Sequence, residues 1–158
     1  MTPRIENIST KKLIGLSTKM SVINNKTAQL WGAFAPKISA IANRVSTDKI
    51  SLQLYPENYF NAFNPNTVFE KWAAVEVVDF ENTIEGLSYL ILEGGKYAVF
   101  EYKGASTDSS IFQYIYSEWL PKSIYKLDNR PHFEVLGEKY KNNDPNSEEE
   151  IWIPINEK

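Results

Sequence analysis

Apolar residues recur along this chain with two different periods, and each period predicts an element. Ile50-Ser51-Leu52-Gln53-Leu54-Tyr55 alternates apolar with polar and stops at Pro56, as a strand half-buried in a sheet does. Short runs rich in apolar residues at 13–18, 72–78 and 97–102 also predict strands. Leu30, Phe34, Ile38, Ile41 and Val45 recur instead at steps of four and three, one face of an amphipathic helix. Asn24 and Asn25 offer its cap, and Pro36 predicts a kink inside it. Asp108 or Ser109 caps a second helix carrying Ile111, Phe112, Ile115, Tyr116 and Trp119, which is expected to stop at Pro121.

Gly94-Gly95 predicts a hairpin turn joining residues 87–92 to residues 97–102. Residues 132–136 and 150–155 predict two more strands around the polar loop 141–147, and the Asn- and Pro-rich residues 57–67 predict a loop. Both halves thus read strand, helix, strand, strand. That order predicts an α+β fold of tandem duplicated strand-helix-strand-strand units, an antiparallel sheet with helices, in one domain over 1–158 with pseudo-repeats of approximately 5–80 and 87–156. Coincidence is the competing explanation, because residue identity between the halves is slight and short α+β domains often give such strings.

A chain of 158 residues, 42% hydrophobic and 23% charged, has the composition of one folded domain. No run approaches the roughly 20 apolar residues of a membrane span, and the polar start lacks a signal peptide's apolar core. A cytoplasmic place and no membrane association are therefore expected. A net charge of −3 with scattered lysines predicts no direct nucleic-acid binding. With no cysteine and a single histidine, His132, thiolate chemistry and multi-histidine metal sites are excluded, and no metal or cofactor is expected. G-x-S-x-G and phosphate-loop glycine patterns are absent, and residues 144–150 lack the ligand spacing of a calcium loop.

The remaining chemistry rests on carboxylates and aromatics. In Glu150-Ile151-Trp152-Ile153-Pro154-Ile155, alternation puts Glu150 and Trp152 on one face and the isoleucines on the other. Two readings stay open: Glu148 to Glu150 is a solvated acidic run, or Glu150 lies in a partly dry aromatic cavity where a cation restores its lost solvation. Glu76, sharing a face with Trp72 and Ala74, and Glu134, between Phe133 and Val135, repeat the arrangement. Three carboxylates set in apolar strands exceed what one surface accident gives.

The strings Phe69-Glu70-Lys71-Trp72-Ala73-Ala74-Val75-Glu76-Val77, Lys96-Tyr97-Ala98-Val99-Phe100-Glu101-Tyr102-Lys103-Gly104, Trp119-Leu120-Pro121-Lys122-Ser123, Arg130-Pro131-His132-Phe133-Glu134 and the last strand occur in the order typical of GyrI-like effector-binding domains. The chain resembles that family over essentially its whole length. The resemblance implies a cleft between the halves that takes drug-like, often cationic, lipophilic ligands, as in the effector domains of AraC-type and MerR-type regulators. It implies ligand-binding roles for Glu134 and Glu150, with Trp152 as an aromatic wall, and weaker ones for Trp72, Glu76, Tyr116 and Trp119. Ile124 and Leu136 depart from the family pattern, where glycine and tyrosine are common. No helix-turn-helix segment is found, so a stand-alone sensor or sequestering module is expected. Two alternatives follow from relatives: hydrolysis of strained-ring alkylating compounds with Glu134 and Glu150 as the catalytic pair, and a protein-interaction module with a topoisomerase as partner.

Overall fold

The computed structural model describes residues 1–82 and 84–158. β1 (Arg4–Ile8) and β2 (Lys11–Met20) precede α1 (Thr27–Phe34), a 3₁₀ helix (Ala35–Ala40), β3 (Lys49–Leu54) and β4 (Phe69–Val77). β5 (Ser88–Leu92) and β6 (Gly95–Lys103) lead to α2 (Ser110–Tyr114), a π-helical turn (Ile115–Trp119) and the single turn α3 (Leu120–Lys122). β7 (Tyr125–Leu127), β8 (His132–Leu136) and β9 (Glu148–Glu157) complete the chain.

Proline sets the helix boundaries, though not as the sequence reading expected. α1 ends at Phe34, and Pro36 stands in the first turn of the 3₁₀ helix, where its missing N–H leaves no bond unmade. The helical spacing therefore does not reach Val45, which is exposed and donates its N–H to the Glu76 carbonyl at 2.9 Å. Asn25 helps at the other end, its Oδ1 accepting the Thr27 N–H at 2.9 Å. Pro121 does not stop the second helix: it lies in the first turn of α3, which ends at Lys122.

All strand pairs are antiparallel, in the order β1-β6-β9-β8-β3-β4-β2-β5, with β7 paired to β9. The order reads the same from either end when β2, β3, β4 and β5 are exchanged for β6, β8, β9 and β1. β3 and β8 meet at the centre.

The expected hairpin between residues 87–92 and 97–102 does not form. β5 pairs with β2 at one edge, while β6 pairs with β1 and β9 near the other. β6 buries Tyr97 and Val99 on one face and Ala98 and Phe100 on the other, so it needs a covered position, whereas β5 carries the exposed Ile91 of an edge. This topology also forces the sheet to curl. In a flat sheet β1 and β2 would lie roughly 29 Å apart, six strand spacings, yet only Ser9 and Thr10 join them. The two edges close at that point, where Gly94 runs so near the Ile8 carbonyl that a side chain would collide with it.

Curling gives the sheet an inner and an outer face, and the register assigns residues to each. Trp72, Leu52, Phe133, Trp152 and Val99 lie opposite one another across successive strands on the inner face. There they form a core with Leu13, Leu92 and Tyr97. Ala73, Ser51, Glu134, Ile151 and Phe100 form the adjacent row on the outer face. α1 packs Leu30 and Phe34 over Ile14, Ala73, Val75 and Val77, while the second helix packs Ile111 and Ile115 over Ala98, Phe100, Ile151 and Ile153. Eight residues do not hold a helix in water by themselves; burial of Phe34, fully covered, contributes about 1.5–3 kcal/mol toward docking α1. The outer surface of β3 and β8 lies between the two helix footprints.

Candidate functional site

Period two along β3, β4, β8 and β9 brings Gln53, Lys71, Glu134 and Glu149 to that central outer seam. Lys71 is 7% exposed, so its ammonium has lost most of its water. Because that group only donates, the Gln53 carbonyl must face it. The Gln53 amide nitrogen then donates to Glu134 Oε2 at 3.0 Å and to the His132 carbonyl at 3.2 Å. Gln53 thus links the ammonium to the carboxylate. Glu134 and Glu149 lie above with part of their surface still open to solvent.

The electrostatics follow from two carboxylates sharing one ammonium. Burial lowers the Lys71 pKa, against the opposing pull of Glu134 and Glu149. Burial raises the Glu134 pKa, with Lys71 and the Gln53 hydrogen bond pulling it back. Glu149 is pushed up to about 7, first by burial and then by repulsion from Glu134, with Lys71 opposing. A proton near neutrality therefore supplies the compensation that Lys71 alone does not.

Aromatic groups wall the seam. Tyr116, on the π-helical turn, contacts His132 Nδ1 through its hydroxyl at 3.0 Å. Such turns recur at functional sites, because they re-aim one side chain without ending the helix. Both Tyr55 and Tyr116 hold their phenol protons well above the ordinary range, chiefly through burial, with the Glu134 charge contributing. His132, 5% exposed, is lowered to about 3 by burial and by Arg130, so it is neutral at physiological pH. A cavity of about 150 Å³ lies between Phe60, His132 and Arg130. A depression of about 560 Å³ opens at the ends of β6, β8 and β9, where inner-face Val135, Glu148 and Glu150 line it together with outer-face Tyr102 and Glu149.

The residues singled out from sequence are divided by the sheet. Glu134 and Tyr116 both lie at the outer seam, where the Glu134 charge helps to raise the Tyr116 phenol. Glu150 and Trp152 face inward: the Trp152 indole donates to Glu150 Oε1 at 3.2 Å and stacks on Phe133 at 5.2 Å, and Arg4 pairs with Glu150 Oε2 at 2.8 Å. Trp72 repeats this on β4, donating to Glu70 Oε1 at 2.7 Å, and Glu76, also inward, pairs with Lys11 at 3.4 Å. Trp119 packs edge-on to Phe100 at 5.1 Å beneath the second helix. Glu134 therefore lies on the opposite face of the sheet from Glu150 and Trp152. Glu134 lies opposite Ile151, and a shift of one residue along β9 reverses the face.

Glu149, Lys71, Gln53 and Tyr55 were missed. The signal for Glu149 was present: it is two residues before Ile151, hence on the isoleucine face. Lys71 carried a weaker one, a lysine directly before the apolar run Trp72-Ala73-Ala74-Val75.

Comparison with known proteins places this geometry in a family. The family described as Cass2, integron-associated effector binding protein, matches residues 4–155. SAV2435, solved bound to tetraphenylphosphonium, shares the fold with a TM-score of 0.75 at 16% identity, covering 99% of this chain and 94% of that one. The integron cassette protein from the mobile metagenome of Vibrio cholerae gives 0.66 at 15% identity, covering 98% and 96%. The EcmrR C-terminal domain gives 0.72 at 13% identity, covering 99% and 98%. No curated protein matches the chain.

Proposed function

This chain belongs to the Cass2 family of integron-associated effector-binding proteins, a GyrI-like family, and on that premise we propose that it binds lipophilic cations at the outer seam, as a sensor or sequestering module. The observation that carries the reading is the pair Glu134 and Glu149 over the single Lys71. A bound cation takes the place of the proton that Glu149 otherwise holds, and the low local dielectric strengthens the pairing. Tyr55 and Tyr116 supply the apolar, electron-rich walls that favour a delocalised cation over a hydrated one. The phosphonium carried by SAV2435 is a ligand of that class. The two strand orders mirrored about β3 and β8 support reading residues 5–80 and 87–156 as repeats, with the site at their junction.

Titrating tetraphenylphosphonium and the neutral triphenylphosphine oxide against the wild type and Glu134→Gln tests the reading. The variant is expected to lose roughly 1–3 kcal/mol of phosphonium affinity, the scale of a charge-assisted contact, and to bind the oxide as before. Equal losses for both ligands would show that shape governs the site. A second reading, hydrolysis of strained rings, has one observation in its favour: a carboxylate pushed up to about 7 suits a general base for water. Turnover of an epoxide that Glu149→Gln abolishes would select it.

A further inference from the structure

One side chain already occupies the aromatic part of this seam. Phe60 lies on the loop after β3. Its ring stacks on Tyr116 at 4.7 Å and 27° and on His132 at 5.2 Å and 22°. Tyr55 and Tyr59 meet it edge-on, each at 5.0 Å, so four aromatic rings surround one phenyl. Two of those rings belong to the second half of the chain. The Tyr116 hydroxyl is held by His132, so these walls are positioned without Phe60.

We propose that Phe60 is a resident plug in the aryl subsite of the cation site, and that an aromatic ring of the incoming ligand replaces it against Tyr116 and His132 with its positive charge toward Glu134. Three features support displacement. Phe60 is part-exposed, whereas Tyr59 and His132 are 6% and 5% exposed, so the plug is less enclosed than those parts of its cage. The turn that carries it is tied internally: Tyr59 N–H donates to the Pro56 carbonyl at 3.1 Å, Asn61 N–H to the Asn58 carbonyl at 3.1 Å, and the Asn61 amide to Asn58 Oδ1 at 3.0 Å. That frame stays in place with Tyr59 packed on Met20 and Phe69, so the Phe60 side chain can leave by rotation about its own bonds without breaking the sheet. The cavity of about 150 Å³ beside Phe60 and His132 gives the displaced ring or a bulky ligand somewhere to go.

The proposal rests on the cation reading above, and the test separates the two. Affinities are measured for benzyltrimethylammonium, hexyltrimethylammonium and neutral neopentylbenzene with the wild type, Phe60→Ala and Phe60→Leu. Leucine keeps the loop's apolar anchor while removing the flat ring, which guards against misfolding of the alanine variant. Both variants are expected to bind the aryl cation about tenfold tighter than the wild type, the scale of one freed aromatic stack, with no comparable gain for the alkyl cation. If the wild type binds both cations and neither variant gains, the plug is wrong and the cation site stands. If neopentylbenzene binds as tightly as the aryl cation in every form, and both gain in the variants, the plug is kept and the cation reading is overturned. No binding of any probe to any form would overturn both.

Discussion

Glu134 and Glu150 are the same side chain in similar settings, each in a strand with apolar neighbours, and they stand one register step apart, since Val135 is the residue opposite Glu150. Their surroundings differ in what compensates the charge. Glu150, 32% exposed, has Arg4, the Trp152 indole N–H and water. Arg4 also meets Glu6 and Glu101 at 3.3 and 3.4 Å, but those groups are well solvated and screen one another cheaply. Glu134 has Lys71 and Gln53, and must share Lys71 with Glu149. The difference teaches that an indole beside a carboxylate does not leave its charge under-compensated, whereas two carboxylates sharing one ammonium in a place poor in water do.

The sharpest way to break this contrast is to remove the cation from each side. Lys71→Met is expected to cost about 3–5 kcal/mol of stability at pH 8, as when one partner of a buried pair is lost. The sign of its pH dependence is fixed. Without Lys71 the already raised pKa values of Glu134 and Glu149 rise further. Stability from such groups is present below their unfolded values and is lost as pH rises through the folded ones. The deficit should therefore shrink between pH 8 and pH 5 in urea unfolding. Arg4→Met should cost less than about 1 kcal/mol, as for exposed pairs. Equal costs would mean that the two faces are solvated alike.

A smaller effect separates the faces in binding. Glu150→Gln should leave phosphonium affinity within about twofold, under 0.5 kcal/mol, because its carboxylate faces inward and is bound to Arg4 and Trp152. A loss as large as that of Glu134→Gln would place the ligand on the inner face and refute the outer seam.

Much of the fold was legible because two-residue and helical periods survive any tertiary context: β3, β4, β8, β9 and the cores of both helices lie where the spacing put them. The hairpin at Gly94-Gly95 was not legible. Local turn chemistry favours it, but only long-range pairing shows that β5 and β6 belong to opposite sides of a curled sheet. Of the residues named from sequence, Glu134 and Tyr116 lie on the same outer seam. The family resemblance gave Glu150 and Trp152 ligand-binding roles beside Glu134, while the register with β8, which decides the face, is invisible in one sequence. Following the alternation back from Ile151 would have reached Glu149 instead.

At pH 7 an empty-site Glu149 with its pKa near 7 is about half protonated. A permanent cation favours the ionised form, so binding must release part of a proton. Phosphonium affinity should accordingly fall as pH drops from 8 to 6. Calorimetry at pH 7 in buffers of different ionisation enthalpy reads the release directly, and about half a proton per ligand is expected. Glu149→Gln should remove it. Glu134→Gln should instead move it to lower pH, because the Glu134 charge is part of what raises Glu149; the two groups titrate as a pair, and the shift measures their coupling. Proton release that survives Glu149→Gln would assign the titration to Glu134. No release in the wild type at any pH between 5 and 8 would mean that Lys71 already compensates both carboxylates, and the outer seam would then have no more claim to a cation than Glu150 has.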